Sequence, residues 1–135
     1  MPKVVTCLLE NNGEILLLKR SEDVGTYQEL WGGVAGFIEE NEEPRQTALK
    51  EIKEETGIEK NELLLLKQED AIRFTDLYEN KLYEWIVYAF LFHIDDREKV
   101  QIDWEHTEFR WIKPSQLNEF DTVPRFKEIV IKILR

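Results

Sequence analysis

The chain has 135 residues, 42% of them hydrophobic and 11% aromatic, which is enough for one domain with a substantial core and too apolar for a disordered chain. Its net charge of −10 argues against a nucleic-acid polymer as partner, and would repel a small anionic substrate unless cations reverse the field locally. A single cysteine, Cys7, excludes an intrachain disulfide and a zinc-finger type of metal site.

Lys3 to Glu10 is an apolar, β-branched run that reads as a strand, with Cys7 in its core face. Asn11-Asn12-Gly13 is a turn signal, and Glu14 to Lys19 reads as the returning strand of a hairpin. Arg20 to Glu29 is a polar loop. Leu30 to Ile38 is apolar and glycine-rich, a strand or irregular turn in which glycine marks close approach of another group. Pro44 suits the first position of a helix that runs through Thr56 and is capped by Gly57, with Ala48, Leu49 and Ile52 as its inner stripe. Leu63 to Lys67 and Ala71 to Phe74 look strand-like, and Asp76 to Lys81 reads as a polar turn. Leu82 to Ile94 is the longest aromatic and β-branched run, expected as a central strand. A charged loop from Asp95 to Val100, a short strand from Glu108 to Ile112 and a helical turn from Pro114 to Phe120 follow. Pro124 to Arg135 reads as a final helix with a stripe of Phe126, Ile129, Val130 and Ile133. No signal-peptide pattern is seen, and no apolar run approaches the roughly 20 residues of a membrane span, so the cytoplasm is the expected location and no membrane partner is expected.

The expected helix over 44–56 carries three carboxylates, Glu51, Glu54 and Glu55, at spacings of three and four. Such neighbours repel by roughly 0.2–0.5 kcal/mol per pair. That cost points to a cation between them, and a hard divalent ion such as Mg²⁺ takes oxygen ligands. The alternative is a solvated acidic helix surface, and the surrounding residues decide against it. Gly36, Glu42, Glu51, Ile52, Glu54, Glu55, Gly57 and Ile58 stand at the spacings of the Nudix hydrolase signature, so the chain resembles that family. Lys50 departs from it, standing where the family has arginine.

The resemblance implies the Nudix fold, a three-layer α/β/α sandwich with a mixed β-sheet, where periodicity alone gives α/β or α+β layers. Residues 1–135 are read as a single domain. The implied activity is hydrolysis of a nucleoside diphosphate linked to another moiety, by attack of water at phosphorus, with Mg²⁺ or Mn²⁺ as cofactor. Glu54 and Glu55 are expected as direct metal ligands, joined through the resemblance by the backbone carbonyl of Gly36. Glu51 is expected to be the general base, or equally a further ligand. Glu105 is a candidate additional ligand in WEHTEFRW, with Glu108 as the competing choice and a strand-edge charge as the alternative for either. Lys19 and Arg20, in LLLKR, are candidates to bind substrate phosphates, though lysine and arginine after a strand are also ordinary surface residues. Glu42 is expected to support the loop. Lys50 either orients a glutamate with less precision than arginine or is merely solvated.

His93 reads as a packed histidine and His106 as exposed or structural, neither as catalytic. Tyr27, Trp31, Phe74, Tyr78 and Tyr83 are candidates to stack on a base, each more ordinarily a core residue. Positions 74 to 76 read Phe-Thr-Asp, which lacks the proline or tyrosine that marks some subfamilies. That turns the reading away from ADP-ribose and dinucleoside polyphosphates without choosing among nucleoside triphosphates and other derivatives. The competing function is a non-catalytic Nudix-like module binding a nucleotide or protein. Such modules tend to lose glutamates of this helix, and all three are present here. An isomerase or other activity on the same fold is a third reading. A homodimer is left open.

Overall fold

The structure, a computed structural model, describes residues 2–135, with Tyr78 described by its backbone alone. Strands β1 (Lys3–Asn11) and β2 (Glu14–Arg20) form the hairpin expected around Asn12-Gly13, both of which adopt positive φ (53° and 80°). β1 organises the sheet. It runs parallel to β6 (Lys81–His93), in register from Lys3 opposite Ile86 to Glu10 opposite His93, and antiparallel to β4 (Val34–Phe37). β2 pairs antiparallel with β3 (Trp31–Gly32) and with β7 (His106–Ile112), and β5 (Leu64–Tyr78) closes the other edge against β6. The seven strands make one mixed sheet in the order β3-β2-β1-β6-β5, with β4 beside β1 and β7 beside β2.

Alternation along the strands divides the core in two. Val5, Cys7 and Leu9 of β1 and Leu16 and Leu18 of β2 pack with Ala48 and Ile52 of the helix α1 (Pro44–Thr56). Leu8, Ile15 and Leu17 face the other way, onto Phe126, Ile129, Val130 and Ile133 of α2 (Phe126–Ile133). The result is the three-layer arrangement, one helix on each face of a mixed sheet. Among the described residues no helix is long and apolar enough to cross a membrane.

Besides β7, which starts two residues earlier than expected, two elements differ from the sequence reading. The segment from Leu64 to Tyr78 is one fifteen-residue strand, and the turn is confined to Glu79-Asn80, both at positive φ. Register shifts between Leu65 and Lys67 and between Glu69 and Ile72 break its alternation, so it reads as two pieces. The final helix starts at Phe126, two residues later than expected, because Arg125 takes a left-handed conformation (φ 70°) that ends the preceding turn.

Candidate active site

Helix α1 starts with Pro44 at its first position, and the Glu43 backbone N–H donates to Gln46 Oε1 at 2.8 Å. Gly57 ends it in a left-handed cap, its N–H donating to Lys53 O at 2.9 Å. Thr47, Ala48 and Ile52 face the sheet, and that phase determines where each carboxylate goes. Glu55, three residues beyond Ile52, turns inward and is 2% exposed; Glu51 is half-buried and Glu54 faces solvent.

Gly36 lies on β4, opposite Val5 of β1, directly against Glu51. A Cβ at position 36 would fall within the Glu51 carboxylate, so only glycine permits this approach. The neighbouring Ala35 backbone N–H donates to Glu55 Oε1 at 3.4 Å. His106 Nε2 stands 3.6 Å from the same oxygen, and His106 Nδ1 lies 3.0 Å from Asp103 Oδ1. Glu55 Oε2 is buried without a partner.

Two backbone bonds bring Glu105 and His106 here. The Gln101 N–H donates to Thr56 O at 2.8 Å, tying the 101–105 loop to the end of α1, and the Ser21 N–H donates to Glu105 O at 2.7 Å. Glu105 is half-buried and its field reaches Glu51 and Glu55. Glu108, the competing choice, is instead exposed, 3.8 Å from Lys19 Nζ.

Crowding raises the proton affinity of three of these acids. Burial pushes Glu55 well above the ordinary carboxylate range, and the neighbouring Glu51 and Glu105 push further. Glu51 is raised chiefly by burial and then by Glu54 and Glu105, with its contact to Glu55 acting in the opposite direction. Glu105 is raised by burial and by Asp103, while Arg20 opposes the shift. A buried carboxylate oxygen with no donor, in a set of hard oxygen groups of one sign, fits a divalent cation of the Mg²⁺ or Mn²⁺ kind. Among the described residues no three Asp, Glu, His or Cys side chains stand close enough to ligate one ion in this conformation.

Glu42 is taken up by the loop before the helix. Its Oε1 accepts from the Glu39 N–H at 3.1 Å and from the Thr47 hydroxyl at 3.0 Å. Its Oε2 accepts from Lys50 Nζ at 2.8 Å. Lys50 therefore holds a glutamate, with a single ammonium where the signature has a fork of donors.

A cleft of about 370 Å³ opens beside the carboxylates, on the α2 face of the sheet. Gly36, Glu51, Glu54 and Glu105 line one end; Phe74, Trp85 and Phe126 supply apolar wall. Arg20 lines the cleft, its Nε donating to Thr26 O at 3.0 Å; Lys19 is not among the lining residues. Among the aromatic candidates, Tyr27 and Phe74 line it, whereas Trp31 is buried edge-on against Phe120 and Tyr83 stacks on Trp85. The side chain of Tyr78 lies outside the described residues. At the far end Arg125 Nε donates to Asp76 Oδ1 at 3.0 Å. His93 lies elsewhere, half-buried between Glu10 (2.7 Å) and Asp95 (2.9 Å).

Sequence reasoning missed Trp85, Asp76, Arg125 and the Asp103–His106 pair as parts of this region. Trp85 sits directly opposite Phe74 across β5 and β6, a pairing hidden by the bulges. The only sequence signal for His106 was its place next to Glu105.

The NUDIX domain family model matches residues 1–133. The nucleoside triphosphatase NudI of Shigella flexneri is 28% identical over 125 residues, which cover 87% of this chain and 86% of that one. Among solved structures, a C. elegans Ap4A hydrolase complex superposes with a TM-score of 0.75 at 21% identity, covering 98% of this chain and 94% of that chain. The MutT protein of Methanosarcina mazei superposes with a TM-score of 0.72 at 25% identity, covering 97% and 91%.

Proposed function

This chain belongs to the NUDIX family, and we propose that it is a divalent-metal-dependent hydrolase of the pyrophosphate bond in a nucleoside triphosphate or related nucleotide derivative. The NUDIX hydrolase class and a small nucleotide substrate come with the family. Metal dependence and the choice of nucleotide are our reading. The observation that carries it is the buried Oε2 of Glu55, without a hydrogen-bond partner, one helical turn from Glu51, which itself lines the cleft.

In this reading Glu54, Glu55 and the Gly36 carbonyl hold the cation, with Glu105 as a further ligand from the 101–105 loop. The bound ion would offset the charge of the diphosphate and lower the pKa of water. Glu51, pressed against Gly36 and raised in proton affinity by burial, takes the proton of the attacking water. Arg20 lines the cleft as a cation for the substrate's phosphates in a chain whose net charge is −10. Phe74, Trp85 and Phe126 exclude water around the remainder of the substrate. The relative named as a nucleoside triphosphatase makes triphosphates the first class to try.

The test is a panel of nucleoside triphosphates and nucleotide derivatives with product identification, run with Mg²⁺, with Mn²⁺ and with chelator. Turnover should require the metal, and Glu54→Gln and Glu55→Gln should each lower it by orders of magnitude while the circular dichroism spectrum is unchanged. Full activity in chelator, or in Glu55→Gln, would refute the site. Nucleotide affinity without turnover would identify the binding-module alternative.

A further inference from the structure

Asp103 and His106 take no part in the chemistry above, yet His106, with Asp103 behind it, is packed against its most constrained carboxylate. His106 opens β7, and its side chain is 2% exposed. Its Nδ1 lies 3.0 Å from Asp103 Oδ1, and its Nε2 lies 3.6 Å from Glu55 Oε1. The Ala35 backbone N–H donates to that same oxygen at 3.4 Å. One oxygen of Glu55 thus faces protein groups from β4 and from β7, while Oε2, also buried, has no hydrogen-bond partner.

We propose that His106, held in place by Asp103, is a positioning residue that fixes the Glu55 carboxylate so that Oε2 is the oxygen presented to the divalent cation. The proposal rests on the metal-dependent reading of the site. Asp103 Oδ1, 3.0 Å from Nδ1, sets the plane of the imidazole. The far edge of that ring and the Ala35 N–H then define which way the carboxylate turns. Without the ring, Glu55 gains a choice of rotamers in the space left behind, and the cation must select one of them. Partners behind a ligand typically change metal affinity 10–100-fold when removed. A histidine serving only as packing would instead lower stability and leave metal affinity alone.

Two substitutions separate these roles. His106→Asn retains an amide near the position of Nδ1, facing Asp103, and removes the atom that faces Glu55. His106→Gln reaches the position of Nε2 and restores a group against Glu55. Calorimetric titration of the full chain with Mn²⁺, alongside thermal melts, is the measurement. Affinity should fall 10–100-fold in His106→Asn and stay within about threefold of the parent in His106→Gln. Parent-like Mn²⁺ affinity in a folded His106→Asn overturns the proposal and leaves the hydrolase reading intact. If neither variant folds, Asp103→Leu decides, since it frees the ring from the loop side, and undiminished Mn²⁺ affinity there is equally fatal. Failure of the parent protein to bind Mn²⁺ would instead sink the metal-dependent reading, and this proposal with it.

Discussion

Glu55 combines deep burial, a neighbouring acid and an oxygen without a donor, three conditions that each act against an ionised carboxylate. A buried polar atom left unsatisfied costs about 1–3 kcal/mol. Glu55→Gln removes the charge while keeping the shape, so in chelator at pH 8 the variant should melt a few degrees higher than the parent. It should also lack the rise in melting temperature that the proposed site predicts for the parent in Mg²⁺, since ligand binding to the folded state produces such a rise. Differential scanning calorimetry with and without Mg²⁺ reads both effects, and a variant less stable than its parent in chelator contradicts the account. Gly36→Ala tests the other side of the site. Its Cβ would displace the Glu51 carboxylate, and misplacement of a reacting group by about 1 Å can cost 10²-fold in rate, so turnover should fall by about that factor or more. Steady-state kinetics on the substrate found by the panel is the check. At this scale the sequence was informative where a role follows from spacing along one helix. The grouping of Glu51, Glu54 and Glu55 was legible for that reason, whereas Gly36 on β4 and Glu42 before the helix came with the family signature. Asp103 and His106 were not, because the contact of His106 with Glu55 exists only once β7 has been laid beside β2.

At the scale of elements, α1 is bounded by local chemistry that any reader of the sequence can find, proline at the start and glycine at the end. Gly57 sits at φ 76°, and a Cβ there would meet nothing nearer than Gln101 Cβ at 3.9 Å. The cost of Gly57→Ala is therefore conformational alone, about 1–2 kcal/mol for a side chain forced into the left-handed region. Urea unfolding should show a loss of that size with an unchanged slope. Gly57→Ala should weaken the fold and spare the proposed metal site, while Gly36→Ala strikes that site through a collision. The β5–β6 hairpin was harder to read. Its distal part is exposed on the face that carries the paired Leu77 and Leu82, 69% and 70% accessible, so hydrophobic alternation fades although the backbone pairing persists to Tyr78 opposite Lys81. The same exposure leaves little packing to lose, and Leu77→Thr or Leu82→Thr should change unfolding free energy by no more than about 0.5 kcal/mol.

For the whole molecule, the layered class was legible because strands and helices alternate with distinct periods. The parallel pairing of β1 with β6 was not, since it joins segments some eighty residues apart and leaves no local trace. That pairing brings Glu10 beside His93 at the end of the sheet, and with it a pH dependence of global stability. His93 is raised above its ordinary value of 6.5 by its hydrogen bond to Glu10 and then by Asp95. Burial acts to raise Glu10, but the bonds from His93 and the Gly13 N–H prevail and hold it below 4.5. The histidine contribution is fully present below 6.5 and is lost as pH rises through its raised folded value. The glutamate contribution is present above 4.5 and is lost as pH falls through its lowered folded value. The two overlap fully between these limits, so the stability difference between the parent and His93→Gln should be largest near pH 5.5 and should shrink toward pH 9. Both groups are partly exposed, so the difference should also diminish at high salt. Urea unfolding of the two proteins across that pH range gives the comparison directly, and a difference that stays constant or grows toward pH 9 would show that the pair contributes nothing as an ion pair.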